Sequence, residues 1–354
     1  MIVASAKTLR RQIELVLSAW GMRKDYVEQT AEVMVDTDLR GIESHGIGML
    51  PGYARMVRSG RMDLNGEVRV VTDLPSIGRV DGGHNLGHPV SIRAMSLAID
   101  KCRATGVGVV SAYHSGHHGA CGYYARMASR DGLVGVAMTG TPSGPMVPTL
   151  GREPVLGTNP IAFSAPARRN PAFVLDMATS TASLGKLSIA RRRGAPLPEG
   201  WALDGEGRPT TDAEVASVAR RLTPLGGTRE LGSHKGYGLA AMVDVLSNVL
   251  SGAAVPAVRS SDKSDVGHFF MALDPELFCG RDAFLDDMDA LIDALHHTRP
   301  ADESEPVLVA GDPENAAYET RSREGIPVSE GLAEEVRAVV AAAGVEFLLE
   351  GSET

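Results

Sequence analysis

The stretch that most limits how this chain can fold runs from Val107 to Met127. An apolar run, Val107 to Val110, reads as a short buried strand. It leads into His114-Ser115-Gly116-His117-His118-Gly119-Ala120-Cys121-Gly122-Tyr123-Tyr124, with three histidines and three glycines in eleven positions. Tyr123 to Met127 reads as the start of a helix. Glycine supplies no side chain to bury and costs backbone entropy, so it is expected where the chain bends or meets a ligand closely. Histidine titrates near neutral pH, which suits proton transfer and metal binding. A turn of this composition between strand and helix is a place to present catalytic side chains.

Periodicity organises the rest. Leu9, Ile13, Val16, Leu17 and Trp20 share a face of a helix from about Lys7, with Gly21 as its C-cap. Asp25 is expected to cap a second helix that buries Val27, Ala31, Met34 and Leu39 and closes at Gly41. The pair predicts an αα-hairpin. Ser44-His45-Gly46-Ile47-Gly48 follows, a second histidine among glycines just past a helix. An amphipathic piece with Leu50, Tyr53 and Met56 ends near Gly60. Asn65 to Val80 reads as irregular strand and turn, and Asp81 to His88 as a glycine loop before a helix that Pro89 opens. Leu133 to Met138, Pro160 to Ala165, Phe173 to Met177, His268 to Ala272 and Val307 to Val309 read as strands. Leu187 to Thr228, dense in Gly, Pro and Arg, reads as a long excursion suited to a lid or a subunit contact. The apolar density of Gly236 to Leu250 predicts a well-buried helix. Phe284 to Leu295 is a further helix, and polar helices from Asn315 to Arg323 and Ser329 to Ala343 end the chain.

Composition narrows the function classes. At 354 residues, 43% hydrophobic and 22% charged, the chain suits a soluble globular protein of two or three domains. A net charge of −9 argues against nucleic acid or an anionic membrane as its main partner. No apolar run reaches the roughly 18 residues a membrane span needs, and Met1-Ile2-Val3-Ala4 does not start a signal peptide. Cys102, Cys121 and Cys279 lack metal-ligand spacing, and reduced thiols in a cytoplasm are expected. Arg191-Arg192-Arg193 is the compact basic cluster, either a solvated loop or a grip on an extra phosphate.

Two His loops carry the chemistry. His45 and His117 each sit beside glycines after a regular element, read either as proton carriers or as hydrogen-bonded structural residues. His114, His117 and His118 could bind a metal, but Gly116 and Gly119 interrupt any helix that would converge them, and no Cys or carboxylate supports them locally. Gly236-Tyr237-Gly238-Leu239-Ala240-Ala241 matches a dinucleotide fingerprint, yet polar Leu231-Gly232-Ser233-His234-Lys235 precedes it where an apolar strand is required, so a Rossmann phosphate loop is rejected. What remains is Lys235 at a helix start, an anion site without that fold.

Taken together, these stretches resemble the type 2 malate/L-lactate dehydrogenase family, which includes ureidoglycolate and sulfolactate dehydrogenases, a diketogulonate reductase and a piperideine-carboxylate reductase. The resemblance runs from about Asp38 to Gly325. It is carried by Asp38-Leu39-Arg40-Gly41-Ile42-Glu43-Ser44-His45-Gly46, by Gly116-His117-His118-Gly119 with Gly122-Tyr123-Tyr124, and by Gly151-Arg152-Glu153-Pro154-Val155-Leu156-Gly157-Thr158-Asn159-Pro160. Leu175-Asp176-Met177-Ala178-Thr179-Ser180, His234-Lys235-Gly236-Tyr237-Gly238, and Gly311 followed by Gly325-Ile326-Pro327-Val328 complete it.

The resemblance implies a non-Rossmann α+β fold: a largely antiparallel mixed sheet wrapped by helices, with a helical layer from both ends of the chain. On that basis residues 1–75 are expected to pack with 298–354, and residues 76–297 to form the cofactor-binding domain. It implies a homodimer that oxidises 2-hydroxy acids, or reduces 2-keto and cyclic imino acids, with NAD or NADP. The proton carrier is implied at His117 or His45, with His117 favoured. Cofactor contacts are implied at Ser143, Leu175, Asp176, Met177, Lys235, Gly236, Gly311 and Asp312. Three departures stand out. Met49 replaces an Arg suited to a substrate carboxylate, His118 replaces a Phe, and Ala310-Gly311-Asp312 replaces Pro-Gly-Glu. The substrate end, where Ser44, Met49, His118 and Arg55 are the expected contacts, has therefore changed at Met49 and His118, and Arg55 or Arg40 is the candidate replacement clamp. Met49 also fits a member that binds nicotinamide without turnover. A His-cluster metal hydrolase is the remaining alternative.

Overall fold

The apolar spacing near the N-terminus is realised as an αα-hairpin. In the computed structural model, which describes residues 2–141 and 143–350, strand β1 (Ile2–Ala4) leads into α1 (Ala6–Ala19) and α2 (Lys24–Leu39). The Ser5 hydroxyl accepts the Thr8 amide and satisfies one free N–H of the first turn. Asp25 does not cap α2. Arg23 holds the cap position, and the Asp25 carboxylate takes the Arg23 guanidinium (Nε–Oδ1 2.9 Å) in place of a backbone N–H. A single turn over Ile47–Met49 then runs into α3 (Leu50–Arg58).

The sheet begins with β2 (Arg69–Asp73) and β3 (Ile77–Asn85), followed by α4 (Gly87–Thr105), β4 (Val107–Ser115) and α5 (Cys121–Arg130). Next come β5 (Val134–Thr139), β6 (Ile161–Ala165) and β7 (Phe173–Met177). The expected glycine loop at Asp81 to His88 is mostly strand. A side chain on Gly82 would meet the His114 carbonyl at 2.7 Å, so its small size serves close strand approach more than a turn. The following helix opens at Gly87, two residues before Pro89.

The excursion proves to be folded. It contains α6 (Leu184–Arg193), β8 (Ala202–Leu203), β9 (Pro209–Thr210), α7 (Ala213–Ala219) and β10 (Arg221–Leu222), closed over Leu187, Leu197, Ala202, Ala216 and Leu222. After it come α8 (Ser233–Asp244), continued by a π-helical turn over Val245–Val249, then β11 (Val266–Leu273) and α9 (Arg281–His296). The chain closes with α10 (Asp312–Glu324), β12 (Ile326–Val328) and α11 (Glu330–Ala343). Val307 to Val309 forms no strand. The Val309 amide is taken by Asp312 Oδ2 at 2.7 Å, and a donor spent on a side chain cannot serve a ladder.

The main sheet has the order β2-β3-β4-β11-β5-β6-β7, and β3–β4 is its parallel pair among antiparallel neighbours. This mixed, mostly antiparallel sheet is the expected non-Rossmann architecture. Side chains alternate across it. Val110, Ala112, Ala137 and Phe270 pack under α4 and α5, while Val136, Met138 and Phe269 face α8 with Val243. The second face is met by α8, and here the expectation of a well-buried helix fails. Met242, Val245, Val249 and Leu250 remain 39% to 58% exposed, because the sheet covers one side of a helix that is apolar on more than one. β1 pairs antiparallel with β12, and a separate core joins Leu9, Ile13, Leu17, Met34 and Leu50 to Val336 and Val340.

Candidate active site

Asp38 builds the first His loop. Its carboxylate is buried at the C-terminal end of α2 and accepts the Ile47 amide at 2.8 Å. A side chain on Gly46 would stand 1.9 Å from Asp38 Oδ1, so the glycine lets the loop close down on the carboxylate. Burial pushes Asp38 up to about 7, against the Ile47 hydrogen bond and the charge of Arg321. Arg321 of α10 donates to the Asp38 carbonyl (2.8 Å) and to Glu43 Oε1 (2.7 Å), which ties the loop to the C-terminal layer. His45 stands half-buried at the crest, its Nδ1 2.7 Å from the hydroxyl of exposed Ser44.

The loop after β4 brings His117 to the same place. The rings of His45 and His117 lie 5.2 Å apart. Tyr53, fully buried on α3, sets its hydroxyl 2.8 Å from His117 Nδ1. Loss of water lowers the pKa of His45, and it lowers His117 well below the ordinary value with help from His45, His88 and His268. His88, edge-on to Tyr53 at 5.8 Å, is fully buried with neither ring nitrogen bonded, and burial drives it down to about 3.

The three histidines of the turn part company. His118 goes into the core, stacked on His268 at 4.6 Å and on Tyr124 at 4.8 Å, with Ser91 Oγ 3.0 Å from its Nδ1. It backs the site without opening on it. His114 pairs instead with His84 at 4.4 Å and reaches Asp81 Oδ1 at 3.2 Å.

The residues expected to hold a cofactor fall into two groups. β7 is an edge strand, and its residues alternate. Asp176 pairs with Ala162 on the α5 side, whereas Leu175 and Met177 pair with Phe163 and Ile161 on the α8 side. Asp176 Oδ2 accepts the Gly122 amide at 2.6 Å at the start of α5. A cleft there is lined by Ile42, Ala120, Gly122, Asp176 and Gly311, so the His45 loop, the His117 loop and the turn before α10 all border it. The side chains crowded around its carboxylate raise Asp176 above the ordinary value although the residue keeps solvent access, opposed by the Gly122 hydrogen bond and the charge of Arg126. Asp312 turns away from the cleft and binds His296 Nε2 at 2.7 Å. Lys235 and Gly236 lie at the start of α8. A side chain on Gly236 would meet the Leu225 backbone at 2.4 Å, and the Leu225 amide donates to the Thr179 carbonyl just past β7 (2.9 Å). Ser143 is exposed on the segment after β5, its carbonyl accepting from Thr141 Oγ1 at 2.9 Å.

At the substrate end, Met49 packs against the N-terminal core. The Arg55 guanidinium is exposed and bends back toward Gly52, which Met49 Cε also approaches. It has no carboxylate partner among the described residues. Arg40 is engaged otherwise, with Asn315 Oδ1 at 3.0 Å and Asp36 at 3.4 Å. Sequence reasoning missed three members of the site. Tyr53 reads as one more core residue on an apolar helix face, and nothing local marks its hydroxyl. His88 and His268 reach the cluster from α4 and β11, remote in sequence from the two loops.

The class of protein is a dehydrogenase with two facing histidines beside a cleft, and comparison with known proteins agrees. The chain belongs to the malate/L-lactate dehydrogenase family, which it matches over residues 4–337. It is 42% identical to a malate dehydrogenase from Pyrococcus horikoshii over 94% of this chain and 93% of that one. It is 35% identical to a (2R)-3-sulfolactate dehydrogenase (NADP(+)) from Chromohalobacter salexigens, over 91% of this chain and 93% of that one. The structure of the sulfolactate dehydrogenase from Methanocaldococcus jannaschii superimposes with a TM-score of 0.89 at 33% identity, covering 98% of each chain. The protein is thus an NAD- or NADP-dependent enzyme of hydride transfer at the C2 of hydroxy, keto or imino acids.

The residues present fit such a cofactor. Asp176 Oδ1 has no hydrogen-bond partner among the described residues and can accept from ribose hydroxyls. Lys235 Nζ has no carboxylate partner among them and offers its charge to a phosphate. When bound, the dinucleotide supplies or takes up two electrons and a hydrogen.

Proposed function

We propose that the enzyme acts on a 2-hydroxy/2-keto acid, or a cyclic imino acid, larger or less charged than malate, with His45 and His117 as its catalytic residues. The observation that carries this reading is the convergence of the two loops: rings 5.2 Å apart, beside a cleft that Asp176 and Gly311 also line. A group with a pKa near or below neutral can take the hydroxyl proton in oxidation and return it in reduction. Ser44 and Arg55 are the substrate contacts, with Arg55 offering a bidentate grip on a carboxylate. Met49 forms an apolar wall, and His118 shapes that wall from behind. Ser143, Leu175, Met177, Lys235, Gly236 and Gly311 join Asp176 in holding the cofactor, while Asp312, committed to His296 and the Val309 amide, fixes the turn that carries Gly311. A screen of 2-keto and cyclic imino acids that follows reduced-nicotinamide absorbance tests the substrate class. Efficient malate oxidation by the purified enzyme would overturn the size and charge assignment.

The same reading places the enzyme in the cytoplasm as a homodimer. The exposed stripe of Met242, Val245, Val249 and Leu250 supports the dimer, since a half-covered sheet face and an apolar helix edge are stabilised by a second copy. Three unpaired thiols support a reducing compartment. The core that unites α1, α2 and α3 with α11 supports a terminal layer, 1–75 with 298–354, distinct from the sheet domain. Light scattering on Val245→Glu and Leu250→Glu checks the dimer, which is expected to dissociate.

A further inference from the structure

We propose that the two histidines divide the work. His45 carries the proton, and His117 stays neutral and donates a hydrogen bond from Nε2 to the substrate oxygen, held in that form by Tyr53 and Gly119. This rests on the reading that both rings face the substrate.

The hydrogen bonds at the two Nδ1 atoms differ in kind. Tyr53 is fully buried, and His117 Nδ1, at 2.8 Å, is the one partner its hydroxyl has among the described residues. Were Nδ1 protonated, the phenol would have to accept there, and its own O–H would be left buried with no acceptor, a penalty larger than an ordinary hydrogen bond returns. The Gly119 amide also points at Nδ1, at 3.3 Å, and an amide N–H can only donate. Two donors therefore require a bare Nδ1, and neutral His117 must carry its hydrogen on Nε2. A ring in that form cannot accept a proton at Nε2. Becoming an imidazolium would add a hydrogen to Nδ1 against both donors.

His45 faces a hydroxyl that can reverse. Ser44 is exposed, lies 2.7 Å from His45 Nδ1, and can accept Nδ1–H while donating to solvent. That leaves His45 Nε2 bare and able to gain and lose a proton with Nδ1 satisfied throughout. In the reductive direction the bound cofactor would supply C2 with hydride, one proton carrying two electrons. Its oxygen gains the proton from His45 Nε2, and His45 ends neutral. The His117 Nε2–H stabilises the developing negative oxygen and keeps its hydrogen, as a neutral imidazole does in other enzymes.

The groups that face His117 agree with this. Tyr53 comes from α3, His88 from α4, His268 from β11 and His45 from its own loop, with no carboxylate among them to stabilise a cation. His45 sees His117 and Ser44, with Asp38 behind its loop. Tyr53 is on this view a positioning residue that acts through His117.

Nitrogen-15 NMR of the histidine-labelled enzyme, without substrate, reads the assignment directly. His117 is expected to show a bare Nδ1 and a protonated Nε2 from pH 5 to pH 9, as roughly the range over which free histidine would change state. A protonated Nδ1 overturns the proposal. Tyr53→Phe removes one donor and is expected to move the titration of His117 upward; an unmoved titration also counts against it. In kinetics, His117→Gln keeps an amide donor and is expected to retain measurable turnover with the wild-type pH dependence. His45→Gln cannot carry a proton and is expected to lose about 10²–10⁴-fold. The reverse pattern overturns the division. Inactivity of the wild type toward every hydroxy, keto and imino acid would defeat the functional reading alone, since the NMR result needs no turnover.

Discussion

Two histidine pairs in this molecule are assembled from the same parts and do opposite things with them. His45 and His117 stand 5.2 Å apart with Tyr53 and Asp38 behind them, and His84 and His114 stand 4.4 Å apart with Tyr113 and Asp81 behind them. In the second pair each Nδ1 has an oxygen acceptor, Ser264 O at 2.8 Å for His84 and Asp81 Oδ1 at 3.2 Å for His114. Asp81 is itself held below the ordinary carboxylate value. Burial works against this, and the Gly83 amide, His114 and the Tyr113 hydroxyl outweigh it. In the first pair the aspartate sits behind the loop backbone and touches neither ring, so the rings are desolvated without a countercharge. Closeness of two histidines therefore says little. What faces each Nδ1 decides whether a pair is a structural fixture or a proton device.

The sharpest way to break this comparison is to remove one ring from each pair. His45→Ala is expected to lose turnover by about 10²–10⁴-fold while NADH affinity, read by nicotinamide fluorescence, stays near wild type. Equal losses for His45→Ala and His114→Ala would erase the distinction.

Arg55→Ala probes the substrate side of the first pair. Its guanidinium has no carboxylate partner among the described residues, so the expected result is a KM for a carboxylate substrate raised by roughly tenfold with kcat little changed, the mark of lost uniform binding. A loss confined to kcat would place Arg55 elsewhere in the reaction.

The two aspartates are expected to respond to pH with opposite signs. Asp38 is raised to about 7, so the folded chain holds this proton more tightly than the unfolded chain. Its contribution to stability is present in acid and is lost as pH climbs from the ordinary carboxylate range through about 7. Asp38→Asn should therefore gain in Tm relative to wild type as pH rises from about 4 to about 7, the span of that shift. Asp81 is lowered, so its contribution is present at neutral pH and lost as pH falls below the usual carboxylate value. Asp81→Asn should cost Tm at neutral pH, with the gap closing in acid. Gaps that do not change with pH would contradict both assignments.

The smallest effect is expected at His114 itself. His114→Ala leaves Asp81 with its Gly83 and Tyr113 partners, and turnover should stay within a few-fold of wild type in a steady-state assay.

By itself the sequence determined the local elements and the identity of the two loops. Helix spacing from Leu9 to Trp20, the apolar run at Val107 and the His–Gly turns are short-range patterns, and their physical causes act over one or two turns of chain. The resemblance motifs also point to His45, His117, Asp176 and Lys235. Tertiary structure decided what those residues face. The strand through Gly82, which reads as a loop in the sequence, runs close against the His114 carbonyl of β4. The exposed side of α8 depends on how much sheet lies beneath it, and the missing strand at Val307 on one carboxylate three residues away. The tautomer of His117 depends on a hydroxyl 64 positions distant in the chain and on an amide of its own turn. Hydrogen-bond direction and desolvation belong to the space around a group, and residues far apart in the chain create that space only after the chain has folded.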